Sequence, residues 1–152
     1  MAPTLTLGNI RVGAGAPLAV ANTLVAADAA FQDSLDAAAS SANAKLGFTA
    51  ATGIAAGTAG NVVATAAAAG VLDGTVAVAL TSNANGLAGL TNLGLTGQST
   101  AVTGTAYDLA RATLAGGTLA MGNVRLGQSL SLAVTNTVVT DAAFQDLSLI
   151  HI

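Results

Sequence analysis

None of the 152 residues is cysteine or tryptophan, only one is tyrosine and one histidine, and 7% are charged. Each scarcity removes a class of function. Without cysteine there are no disulfides and no thiolate ligands or nucleophiles. Four Lys and Arg stand against seven Asp and Glu, for a formal net charge of −3. The chain therefore lacks the basic footprint of a nucleic-acid binder or of a polybasic segment on anionic lipid. Every apolar run of about 18 residues is interrupted by glycine or a polar side chain, so no transmembrane helix is expected. Met1 is followed by Ala-Pro-Thr-Leu-Thr, not by a basic segment and an apolar core, so no signal peptide is read.

The chain is 53% hydrophobic yet 3% aromatic, with alanine supplying much of the apolar count. Burial energy scales with area, so alanine contributes little beside leucine. A thin core is expected, resting on Leu, Val, Ile and the three phenylalanines.

One stretch occurs twice. Leu7-Gly-Asn-Ile-Arg-Val-Gly13 leads into Leu18-Ala-Val-Ala-Asn-Thr23, and Met121-Gly-Asn-Val-Arg-Leu-Gly127 leads into Leu132-Ala-Val-Thr-Asn-Thr137. Both continue into Asp-Ala-Ala-Phe-Gln-Asp, at Asp28 to Asp33 and Asp141 to Asp146. Asn9 and Asn123 lie 114 apart while Asp28 and Asp141 lie 113 apart, so the second copy has lost one residue between them. A period of about 113 residues suits one small domain, whereas a fragment below about 40 residues seldom folds alone. The expected organisation is one unit over 1–113, the truncated start of a second over 114–146, and a tail over 147–152. The tail, Leu147-Ser-Leu-Ile-His-Ile152, resembles a translated sequencing adapter and is set aside, and His151 with it.

Alternation of period two marks the strands. Leu5 and Leu7, then Ile10 and Val12, alternate with polar residues across a slip at Gly8-Asn9, which predicts a bulge or a change of sheet. Gly13 to Pro17 reads as a turn, and Leu18, Val20 and Asn22 share one strand face. Ala26 to Ala44 suits helix by alanine propensity, but its neighbours favour a strand followed by a loop. Leu46 and Phe48 share a face; Gly53 to Gly60 reads as a turn. Val62, Val63 and Thr65 mark a short strand, and Val76, Val78 and Leu80 point inward from the clearest strand. Ser82 to Gly97 reads as a long loop whose Leu87, Leu90, Leu93 and Leu95 cap one end of the core. Gln98 to Tyr107 is the last strand, and Asp108 to Gly117 links to the next unit. The fold class is all-β: an immunoglobulin-like antiparallel β-sandwich of about seven strands, followed by the first strands of a truncated second repeat.

The two motifs at Leu7 and Leu18, with Gly74-Thr-Val-Ala-Val-Ala-Leu-Thr-Ser82 and Val102-Thr-Gly-Thr-Ala-Tyr107, resemble the immunoglobulin-like repeats of bacterial choice-of-anchor D proteins, which are similar to domains related to major sperm protein. The resemblance covers residues 3 to about 113 and restarts at 115. It implies tandem β-sandwich modules in an exported or surface-anchored protein, with no catalytic residues in the module. The chain departs from the usual pattern at Ala37 to Ala44.

Asn22 and Asn136 recur at the end of the second strand, either facing a ligand or, as Asx side chains commonly do, bonding a neighbouring loop. The latter reading is preferred. Asp28, Asp33 and Asp36 form an acidic cluster without EF-hand spacing and read as solvated charge in preference to a calcium site. Arg11 and Arg125 read as outward residues that blunt an edge strand. Gly13-Ala-Gly15 and Gly116-Gly117 lack the Lys-Ser/Thr of a phosphate cradle. Tyr107 is expected as a half-buried anchor. Ser, Asp and Lys45 form no recognisable dyad or triad, so no enzyme, no catalytic residue, no metal and no cofactor is expected.

The expected function is a structural spacer of a tandem-repeat exported or cell-surface bacterial protein, its partners being neighbouring repeats of the same chain. Any membrane attachment would run through an anchor outside these residues. The alternative is an adhesive module that binds glycan or protein through Ala38 to Lys45 or Ser82 to Gly97. Because Leu119 to Val139 nearly duplicates Leu5 to Val25, strand exchange and self-association are also expected. Truncation after Arg111 should then give a cleaner monomer by light scattering.

Overall fold

In a computed structural model, which describes residues 4–25, 27–114, 120, 122–139 and 141–145, eleven strands follow one another. They are β1 (Thr4–Arg11), β2 (Gly15–Asn22), β3 (Ser34–Ser41), β4 (Leu46–Thr49), β5 (Ala51–Ile54), β6 (Thr58–Ala66), β7 (Gly70–Val71), β8 (Gly74–Asn83), β9 (Leu93–Tyr107), β10 (Ala112–Leu114) and β11 (Val134–Asn136). Two short 3-10 turns occur at Ala29–Phe31 and Ala142–Phe144. The adapter-like tail, 147–152, lies outside the described residues.

The first nine strands make two layers. One sheet runs β1-β9-β8-β3-β5, with β7 continuing along β9 beyond the end of β8; the other runs β2-β6-β4. Two such sheets about one core make an all-β sandwich. The expectation of a purely antiparallel fold is corrected at one edge, where β1 pairs with β9 in parallel. The expected slip is there too: the register against β9 shifts between Thr6 and Gly8. The bulge keeps Leu7 in the core, and Leu7 packs where Gly104 of β9 has no side chain; a Cβ on Gly104 would sit 2.8 Å from Leu7 Cβ.

One length of chain serves both layers. β4 pairs with β6, and a single residue later β5 pairs with β3, so the backbone crosses between sheets at Ala50. Gly53 to Gly60, read from composition as a turn, mostly belongs to β5 and β6. Pro17 lies within β2 instead of a turn, tolerated because β2 is an edge strand.

The alanine-rich stretch shows the largest departure. A 3-10 turn comes first and the strand second: β3 occupies Ser34–Ser41, between β8 and β5. Leu35 and Ala37 are buried and Ala39 packs partly against the core, a period of two that propensity alone does not favour. Hydrogen bonding to neighbours on both sides overrides the weak strand preference of alanine.

The core is aliphatic. Val62, Leu72, Val76 and Val102 are its largest fully buried side chains, each worth roughly 1.5–3 kcal/mol. The alternation read at Val76, Val78 and Leu80 faces this core, as do Leu46 and, partly, Phe48. The phenylalanines do not fill it: Phe48 is partly buried, and Phe31 is 86% exposed. Ala37, Ala64, Ala66 and Ala106 hold its centre instead. Nor do leucines 87, 90, 93 and 95 cap it, since all four are exposed. The loop between β8 and β9 is only residues 84–92. It opens with Asn85 and Gly86 at positive φ and an Ala84 carbonyl that accepts from Leu87 N at 3.1 Å, the two-residue geometry that Asn-Gly favours.

The second copy is different. Among its described residues only β11 is a strand, paired antiparallel with β10 of the linker. Ala112 opposes Asn136 as Thr58 of β6 opposes Asn22. The linker thus takes the place that a β6 of the second unit would occupy.

Candidate functional site

The repeated Asn-Thr…Asp-Ala-Ala-Phe-Gln segment forms a closed hydrogen-bonded cassette. Asp28 Oδ1 accepts from Ala30 N at 2.9 Å and starts the 3-10 turn. The turn returns Gln32 toward the end of β2, where its Nε2 donates to Thr23 O (2.8 Å) and Asn22 Oδ1 (2.9 Å), while its Oε1 accepts from Val25 N (2.8 Å). Asn22 is buried, and its Nδ2 donates to Asp33 O (3.0 Å) and Ile54 O (2.9 Å). The side chain therefore ties together the end of β2, the start of β3 and the end of β5. This is the structural role preferred for it. The share taken by Gln32 was not read from the sequence, although its recurrence as Gln145 was the available signal.

The carboxylates of the acidic cluster are engaged within the protein and are more than solvated charge. Asp33 Oδ2 accepts from Ser82 Oγ at 2.7 Å, and Asp36 accepts from Gly53 N and Asn83 Nδ2, both at 2.7 Å. Asp33 and Asp36 thus tie β3 and its entry to β8 and β5, while Asp28 caps the 3-10 turn. No group of three or more His, Cys, Asp or Glu that could hold a metal ion occurs among the described residues. Arg11 ends edge strand β1 and is exposed, as expected of an edge residue.

The opposite end carries the contact between repeats. The second cassette repeats the first: Asp141 Oδ1 accepts from Ala143 N (3.0 Å), and Gln145 Nε2 donates to Asn136 Oδ1 (2.9 Å) and Thr137 O (2.8 Å). It rests on the end of β9. Asp108 N donates to Phe144 O at 2.8 Å, and Asp108 bridges Gln145 in parallel. The Phe144 ring lies 6.4 Å from that of Tyr107, tilted by 48°, with Lys45 Nζ 5.8 Å from its centroid. Both are favourable aromatic contacts. Tyr107 is half-buried there, in keeping with the anchor role expected of it. A groove of about 540 Å³ remains beside this contact, between Arg11 and Tyr107 of the first unit and Ala142 of the second.

At the first cassette a comparable groove of about 480 Å³ lies between Phe31, Val25 and Leu95. Ala38 to Ser41, offered as part of a binding loop, belongs to β3, so the turn there shrinks to residues 42–45. No helix among the described residues is long and apolar enough to cross a membrane. No family model, characterised protein or solved structure matches this chain.

Proposed function

We propose that the chain comes from a non-catalytic spacer, a tandem array of β-sandwich units in an exported or cell-surface bacterial protein. The observation that carries this reading is the contact between repeats: the start of the second unit lies against the far end of the first through Phe144, Tyr107, Lys45 and Asp108. The two cassettes fall at opposite ends of β9, so units joined in this way extend in line. The 15 residues of β9 span roughly 45 Å at strand rise, which sets the length that each unit adds. Arrays of this kind draw stability from each unit and from its interfaces. The polar groups of the cassettes are engaged in internal hydrogen bonds, as a scaffold requires.

A sequencing read of the source DNA through the codon for Asp146 tests the proposal. The expected frame continues into Ser-Leu-Asp and further units. An intact gene with a single unit beside a catalytic domain would sink it.

The exposed leucines favour a second reading, an adhesive module that holds glycan or protein through residues 84–92. Leu87 and Leu90 project from that loop, and loops on a rigid sandwich often carry binding. A glycan array and a pull-down without hits for the intact chain would count against it.

A further inference from the structure

The two cassettes share their internal hydrogen bonds but not their burial. Gln145 is 4% exposed where Gln32 is half-buried, and Val139 is 49% exposed where Val25 is 86% exposed. Phe144 is half-buried, while Phe31 projects into solvent. The second cassette differs by its contact with Lys45, Tyr107 and Asp108 of the unit before it. The first cassette presents the same residue types in the same geometry with that face open.

We infer that Phe31 and Val25 form a docking surface for a second copy of this unit, which offers its Lys45, Tyr107 and Asp108 end. The inference deepens the array reading and rests on it. Each unit then carries a knob at one end and a receptor at the other. Such a heterologous contact propagates head to tail and does not close into a symmetric dimer. The chemistry is complementary at each point: an aromatic ring for the Tyr107 ring and the Lys45 ammonium, and a backbone carbonyl for Asp108 N. The groove beside Phe31, with Val25 and Leu95 on its walls among polar neighbours, supplies the remaining surface. Within an array the neighbour is tethered at an effective concentration of about 1 mM, so the joint needs little intrinsic affinity.

In the intact chain the receptor is occupied by Phe144, which makes the test direct. Phe144→Ala removes the ring from the Tyr107–Lys45 position while leaving the backbone contact with Asp108, and Phe31 of another molecule can then compete for that position. Sedimentation of the full chain from about 10 µM to 1 mM, the latter chosen to match the tethered concentration, should show mass rising with concentration for Phe144→Ala. The wild type should change less, and Phe31→Ala/Phe144→Ala should stay monomeric. The resonances of Tyr107, the sole tyrosine, should shift with concentration in the single variant alone. Protected amides at Val62 and Val76 confirm that each variant is folded. A chain ending at Leu114, which frees the receptor by a second route, should associate with concentration, whereas strand exchange by the second copy expects that truncation to be the cleaner monomer. A monomeric Phe144→Ala chain at 1 mM, or equal association of the single and double variants, overturns the inference. The array reading would still stand or fall on the gene sequence.

Discussion

Residues 8–25 and 122–139 carry closely similar sequences in two different settings. In the first, β1 and β2 form, joined by a tight turn in which Ala14 N donates to Arg11 O at 2.9 Å and Gly13 has φ +89°. In the second, the turn survives almost unchanged: Gln128 N donates to Arg125 O at 3.0 Å and Gly127 has φ +86°. The cassette survives as well, even with one residue fewer before its aspartate. The strands do not: among the described residues of 122–133 no strand forms, and Val124, Leu126, Leu130 and Leu132 are exposed. Interactions that close within about ten residues are reproduced, because the loop entropy they cost is small. β1 and β2 instead depend on β9 and β6, which come 36 to 97 residues later for the aligned pairs Asn22–Thr58 and Thr4–Ala101. The second copy has no such partners among the described residues, so the same side chains stay in water.

Four measurements break or sharpen this comparison. The largest contrast is expected in hydrogen exchange, where the amides of β2 that pair with β6 should exchange slower than those of 122–133 by a factor on the order of 10³ or more. Comparable protection in both segments would show that the second copy finds a sheet after all. Next comes Asn22→Ala, which strips hydrogen bonds from the carbonyls of Asp33 and Ile54 in a buried place and should cost about 3 kcal/mol in urea unfolding. Asn136→Ala should leave the main transition within about 0.5 kcal/mol of wild type, as surface changes usually do. Equal losses would mean that the cassettes matter alike to the core.

Leu18→Ala should cost about 1–2 kcal/mol, since Leu18 packs partly against the core, whereas Leu132→Ala, at a residue 43% exposed, should cost almost nothing. The smallest contrast lies at the turn glycines. Alanine at positive φ costs about 1 kcal/mol in either copy, but only Gly13→Ala should move the midpoint of global unfolding. A matching shift for Gly127→Ala would couple the second copy to the first more tightly than its contacts suggest.

Legibility of the fold followed the range of the interactions involved. The Gly8 bulge, the inward face of Val76, Val78 and Leu80, and the anchoring of Asn22 were all readable, since period and neighbouring polar groups determine them. Ala38 to Ser41 misled and read as loop, because the weak strand preference of alanine hides a position that only the flanking strands β8 and β5 make central. Leucines 87, 90, 93 and 95 misled for the opposite reason: hydrophobicity says that a residue gains by burial, not that a surface is available to bury it. Phe31 is the sharpest case. It was expected in the core with the other phenylalanines, but a 3-10 turn places it outside the sandwich, where the contact of Phe144 gives the measure of what it meets.

The sequence by itself determined the all-β class, the repeat and its offset, the turn at Gly13 and the capping of the 3-10 turn by Asp28, all of which depend on residues close along the chain. Tertiary structure alone decided the parallel seat of β1 on β9, the crossing of the chain between sheets at Ala50, and the contact of Phe144 with Tyr107 and Lys45. Those contacts join segments tens of residues apart, and the side chains that make them would read the same along the chain whichever partner they met.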